Sequence, residues 1–197
     1  MEYSNVYTAQ PSIPAPVWDL RSANGLSNVQ EAESGWNPSS DGVQRFSLPS
    51  RIEKTSQPAS RPNAALILLV EDNRADVGLV REALEEHGVE GELVVLADGE
   101  AAINFIQSLD DQPATCPDLV IIDLNLPKRP GRDVLKFVRQ SVACREVQVV
   151  ILSSSDAQQD RAETLRLGAS RYIRKPSRLE EFMSLGAIFK AMLGGSA

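Results

Sequence analysis

Aromatic residues make up only 5% of this 197-residue chain, and it has two cysteines and a single histidine. Cys116 and Cys144 sit at no metal-ligand spacing, so a structural zinc site is excluded on its ligands. The expectation for both is a small unpaired side chain, because a disulfide is unusual in a reducing compartment. No apolar run reaches the roughly 18–20 residues that span a bilayer. The opening stretch MEYSNVYTAQPSIPAP lacks the basic start and apolar core of a secretion signal, which points to a cytoplasmic protein. Net charge is −7, from 27 acidic against 20 basic residues, so the surface as a whole repels phosphate backbones. Nucleic acid and membrane are set aside as partners in favour of another protein.

The residues that are present fall into two regions. From Met1 to about Pro62 the chain is rich in Ser, Pro, Asn and Gln without helical or strand period, the composition of a disordered extension. Both tryptophans, Trp18 and Trp36, lie there with Tyr3, Tyr7 and Phe46, and aromatics in such a segment can serve as docking anchors. Residues 63–197 form the folded part, where short aliphatic runs alternate with helix-period segments, the signature of a parallel sheet covered on both faces. The strands are expected at 65–70, 93–97, 118–123, 147–152 and 171–174. The helices are expected at 76–87, 100–109, 133–140, 157–167 and 179–193. Gly88 and Gly168 stop two of these helices. The fold class is therefore α/β, a doubly wound sheet of five parallel strands.

In such a sheet the ligand site lies beyond the carboxyl ends of the strands, near the point where strand order reverses. Glu71 and Asp72 end the first strand, Asp123 the third, Ser153 the fourth and Lys175 the fifth. Three carboxylates completed by a backbone carbonyl and water suit Mg²⁺ better than zinc, which prefers nitrogen and sulfur. His87, at a helix end, does not change that. Asp123 can attack as a nucleophile if metal and Lys175 neutralise the charge on an incoming phosphoryl group, and Ser153 can donate a hydrogen bond to that group. One such residue alone could be an ordinary polar strand end. All of them at successive strand ends mark a site.

The runs LLVEDN, DLVIIDLNLPKRPG, VVILSSSD and YIRKP resemble the receiver domain of bacterial two-component response regulators over nearly the whole folded part. The resemblance implies a flavodoxin-like sheet of strand order 2-1-3-4-5. It implies Asp123 as phospho-acceptor, Glu71 and Asp72 as the acidic pair at Mg²⁺, and the backbone carbonyl of Asn125 as a further ligand. Ser153 and Lys175 take the positions of the family's hydroxyl and lysine, Tyr172 that of its rotating aromatic, and Pro176 would follow a cis peptide bond. Phosphorylation would draw Ser153 toward the phosphoryl group and turn Tyr172 inward, a shift of population between two arrangements of one fold. The chain departs from the common pattern at Glu71, which stands for a first Asp, at Ser153, where Thr is frequent, and at Pro130, where Asp is common. With one helix after Lys175 and no output domain, the resemblance points to a stand-alone regulator rather than an enzyme. Its partners would be a sensor histidine kinase, phytochrome-like or of another type, a phosphotransfer or output protein, and a second copy through the last helix (Leu185, Ile188, Leu193). Two rival readings remain. One is a receiver that docks without taking phosphate. The other is a Mg²⁺ phosphohydrolase, a class that commonly has a second acid where this chain has Asn125.

Overall fold

The aliphatic runs become strands. In the computed structural model, which describes residues 43–49, 64–111 and 116–194, the chain forms β1 (Val43–Leu48), β2 (Ala65–Val70), α1 (Arg74–Glu86), β3 (Gly91–Leu96), α2 (Gly99–Asp110) and β4 (Leu119–Ile122). It continues with α3 (Gly131–Gln140), β5 (Gln148–Ser153), α4 (Gln158–Arg166), β6 (Arg171–Arg174), α5 (Leu179–Met183) and α6 (Leu185–Gly194). The sheet order is β1-β3-β2-β4-β5-β6. Its five parallel strands, β3-β2-β4-β5-β6, reproduce the expected doubly wound order. Order reverses around β2, which pairs with β3 on one side and β4 on the other, so the carboxyl ends of β2 and β4 border the crevice.

Both faces of the sheet are apolar. Ile67, Leu93, Leu119 and Ile121 pack on one side with Val80 and Leu84 of α1 and with Phe182, Leu185 and Phe189. The alternate residues Leu68, Val94 and Val120 are equally buried beneath the opposite face. The Asn73 side chain caps α1 by accepting from the Ala75 N–H at 3.0 Å, and Asp98 caps α2 by accepting from Ala101 at 2.7 Å. Gly88, at φ +62°, supplies the left-handed residue that ends α1. Gly186 lets α6 press onto α1, since a Cβ there would strike the Ala83 carbonyl and the His87 ring. That ring bonds the Ala83 carbonyl at 3.0 Å, which gives the only histidine a structural place.

Four expectations are corrected. The extension is not featureless to residue 62: Val43–Leu48 is a strand, antiparallel to β3 in the register Val43↔Leu96 to Leu48↔Gly91. Its sequence VQRFSL turns alternate residues inward, with Phe46 half-buried and Leu48 buried, a period of two too short to emerge from the polar composition around it. Phe46 thus anchors within its own chain, under the Arg81 guanidinium 5.5 Å from its ring, and Arg45 pairs with Glu92 at 2.8 Å. Trp18, Trp36, Tyr3 and Tyr7 lie outside the described residues. The expected last helix is two, broken at Ser184, whose hydroxyl donates to the Glu181 carbonyl at 2.6 Å and competes with the helical ladder. The bond before Pro176 is trans, and no cis peptide occurs among the described residues. Proline alone biases that choice by only about 1 kcal/mol, so the surrounding backbone decides it. Finally, Cys116 and Cys144 are not unpaired. They form a disulfide, with Cα atoms 5.6 Å apart.

Candidate functional site

The carboxyl ends of β2, β4 and β6 deliver one cluster. Glu71, directly after β2, is buried to 1% exposure, and Asp123, directly after β4, to 5%. Lys175, after β6, donates from Nζ to Glu71 Oε2 at 2.7 Å, to Asp123 Oδ2 at 2.8 Å and to Asp76 Oδ2 at 2.7 Å. The backbone holds the acids in place. Asn73 N–H donates to Glu71 Oε1 at 3.1 Å, and Asn125 N–H donates to Asp123 Oδ1 at 3.1 Å. The loop after Asp123 doubles back so closely that Gly131 leaves no room for a Cβ against the Asp123 carbonyl, and its N–H donates to Leu124 O at 3.0 Å.

The electrostatics follow from burial. Burial pushes the Glu71 carboxyl up to about 7 despite the opposing pull of the Lys175 ammonium. For Lys175, burial alone would lower the ammonium, but hydrogen bonds to Asp123, Asp76 and Glu71 outweigh it and hold the group above its ordinary value. Asp72 is exposed beside the buried pair. Carboxylate oxygens of Glu71, Asp72 and Asp123 lie within 4.8 Å of one another, the one such acidic group among the described residues. An all-oxygen donor set with this charge fits a hard divalent metal.

Glu71, Asp72, Asp123 and Lys175 are therefore brought together as their strand-end positions implied. Ser153 is at the end of β5 and fully buried, with its Oγ accepting from the Ser155 N–H at 3.3 Å. Tyr172 is half-buried, and its hydroxyl donates to the Ser155 carbonyl at 2.9 Å, so both groups meet the same loop. Asp76 was missed because it belongs to a helix rather than a strand end. The available signal was an acid in the first turn of α1, the helix that leaves the same strand end as Glu71 and Asp72. Also unforeseen was the network in which Ser155 Oγ donates to Asp160 at 2.6 Å while Arg132 donates to Asp160 at 2.8 Å and pairs with Glu163 at 3.2 Å, joining α3 to α4.

The geometry has counterparts among known proteins. The family model described as the response regulator receiver domain matches residues 67–185. Response regulator Rcp1 of Synechocystis sp. (strain ATCC 27184 / PCC 6803 / Kazusa) is 36% identical over 121 residues, covering 61% of this chain and 82% of its own length. Among solved structures, the phosphorylated cyanobacterial phytochrome response regulator RcpA is 32% identical with a TM-score of 0.60, over 68% of this chain and 96% of that one. The Mn²⁺-bound form of Rcp1 is similar to the same extent, at 32% identity, a TM-score of 0.60, and 68% and 96% coverage.

Proposed function

This chain belongs to the response regulator receiver domain family and is a phosphorelay signalling protein, and on that premise we propose that Asp123 is the residue that takes the phosphoryl group. The observation that carries the reading is the Lys175 ammonium 2.8 Å from the Asp123 carboxylate, with the oxygens of Glu71 and Asp72 alongside. The Asp123 oxygen attacks phosphorus, a P–O bond forms, and the bond from phosphorus to the donor breaks. The donor is a phosphohistidine of a sensor kinase, and likeness to Rcp1 and RcpA favours a phytochrome-type kinase. Lys175 holds positive charge where the phosphoryl oxygens gather negative charge. Glu71, Asp72, Asp123 and the Asn125 carbonyl would hold Mg²⁺, which supplies further neutralisation of that charge when bound. The Ser153 hydroxyl, whose oxygen accepts from Ser155 N–H, keeps its own hydrogen to donate to the phosphoryl group.

The response runs through the Ser155 loop. Ser153 and Tyr172 both bond to it, so a pull on Ser153 alters the packing of Tyr172 and the α4–β6 surface beside it. Signalling is then by contact with an output or phosphotransfer protein or with a second copy, in the cytoplasm. The only reaction assisted is the chain's own phosphorylation and dephosphorylation. Intact-mass spectrometry after incubation with acetyl phosphate tests this reading. The expected result is a Mg²⁺-dependent gain of one phosphoryl group, absent in Asp123→Asn. No gain in the wild type would leave a module that docks without phosphate.

A further inference from the structure

At the opposite end of the sheet from the acidic cluster, two sulfur atoms meet. Cys116 lies three residues before β4, and Cys144 lies between α3 and β5. Their bond closes a loop of sequence separation 28 that contains β4, Asp123 and all of α3. The two ends of the bridge differ in exposure. Cys144 is buried to 1%, whereas Cys116 is only half-buried.

The backbone around Cys144 is held by side chains that owe nothing to the bridge. Its N–H donates to Ser141 Oγ at 3.0 Å, and Ser141 in turn donates to Asp110 Oδ1 at 2.5 Å. The same Asp110 oxygen accepts from Ala143 N–H at 3.1 Å. Arg139 ties down the next residues by donating to the carbonyls of Arg145 at 2.8 Å and Val147 at 2.9 Å. Cys116, for its part, lies three residues before β4, a strand fixed in the middle of the sheet. A reduced pair is therefore held near its partner by contacts that survive opening, the condition for a bridge that can break and re-form.

We propose that Cys116 and Cys144 are a reversible dithiol–disulfide site that exchanges with low-molecular-weight disulfides and thiols, and that its oxidised form braces the segment carrying Asp123. The Cys116 thiolate attacks a disulfide RSSR, forming a protein–S–S–R bond and releasing RS⁻. The Cys144 thiolate then attacks the Cys116 sulfur, forming the internal bond and releasing the second RS⁻. Two protein thiols are oxidised and one RSSR is reduced to two RSH, with the two thiol protons passing to the two RS⁻. Excess thiol reverses both steps, with Cys116 the sulfur that an incoming thiolate reaches. In a reducing compartment a disulfide persists only as a transient or sensing pair, which is the use proposed here.

The test uses the full chain and no phosphoryl donor, so its outcome is independent of the role given to Asp123. Protein equilibrated in buffers of graded oxidised-to-reduced glutathione ratio is quenched with N-ethylmaleimide in denaturant, so that the buried Cys144 is labelled as readily as Cys116, and weighed intact. The expected result is two maleimide adducts at the reducing end and none at the oxidising end, with a mass lower by two hydrogens. The change should reverse on returning the sample to reduced glutathione. The oxidised form should melt several degrees higher, because the closed loop restricts the unfolded chain, and Cys116→Ser should abolish that shift. Two adducts at every ratio, a persistent glutathione adduct, or a disulfide between two chains would each overturn the proposal.

Discussion

Lys175 is 11% exposed and bonded to three carboxylates, one of them the buried Glu71. Replacing it by alanine leaves that acid without its cation, which costs about 3 kcal/mol when one partner of a buried pair is removed. The expected outcome in urea denaturation with EDTA is a loss of this size for Lys175→Ala, reduced by millimolar Mg²⁺ because a divalent ion restores positive charge among the same oxygens. An equal deficit with and without Mg²⁺ would count against metal binding there. Asp98 contributes to the pH dependence at the acid end. Burial alone would raise its carboxyl, but the Lys128 ammonium at 2.8 Å and the Ala101 N–H hold it below its ordinary value of 3.8. A depressed carboxyl contributes stability above the unfolded value and loses it as pH falls through the folded value. Asp98→Ala should therefore cost about 1 kcal/mol at pH 7, typical of a lost helix cap, with the gap to wild type narrowing below pH 3.8. Thermal melts of both proteins across that range check it. At this scale the strand-end acids and the lysine were legible, because a parallel strand delivers its next residue to a known edge. Asp76 and the partners of Ser153 were not, since they depend on how a helix turn and a loop fold back over that edge.

β1 shows what a short element can hide. Three inward residues on a six-residue strand carry little statistical weight, and what selects them is the open edge of β3, which no local pattern contains. Phe46→Ala removes the one large aromatic of that strand from its seat against the core under Arg81. For a half-buried ring the expected loss is about 1–2 kcal/mol, read as a lower urea midpoint; no change would mean that β1 is not seated on the core. α6 gives the opposite kind of test. In an open helix Gly→Ala gains about 1 kcal/mol. Gly186→Ala should instead cost about 1–3 kcal/mol, because the added methyl meets the Ala83 carbonyl on α1, a backbone atom that cannot turn aside. A stabilised variant would show that α6 sits farther from α1.

For the whole molecule, four of the parallel strands were legible as aliphatic runs, and the fifth, Arg171–Arg174, from its place in the alternation with helices, which leaves few ways to wind them. The Cys116–Cys144 bond was not, because it depends on two loops meeting across 28 residues after the sheet has formed. The same topology sets a gradient of stability. β2 and β4 are flanked by strands on both sides and covered on both faces, and β2 carries four consecutive residues at 0% exposure. Among the described residues β1 and β6 each pair on one side only, and in β6 exposed Arg171 and Arg174 flank the half-buried Tyr172 and Ile173. Amides in β2 and β4 should exchange with solvent only through global unfolding, while those in β1 and β6 should open first at a smaller free energy. Native-state hydrogen exchange read by mass spectrometry in rising urea resolves this. Exchange of β2 and β4 should converge on the global unfolding curve, and β1 and β6 should reach it from below. If β1 instead exchanges together with β2, the added strand is part of the cooperative core, and its loss should unfold the receiver rather than merely bare the edge of β3.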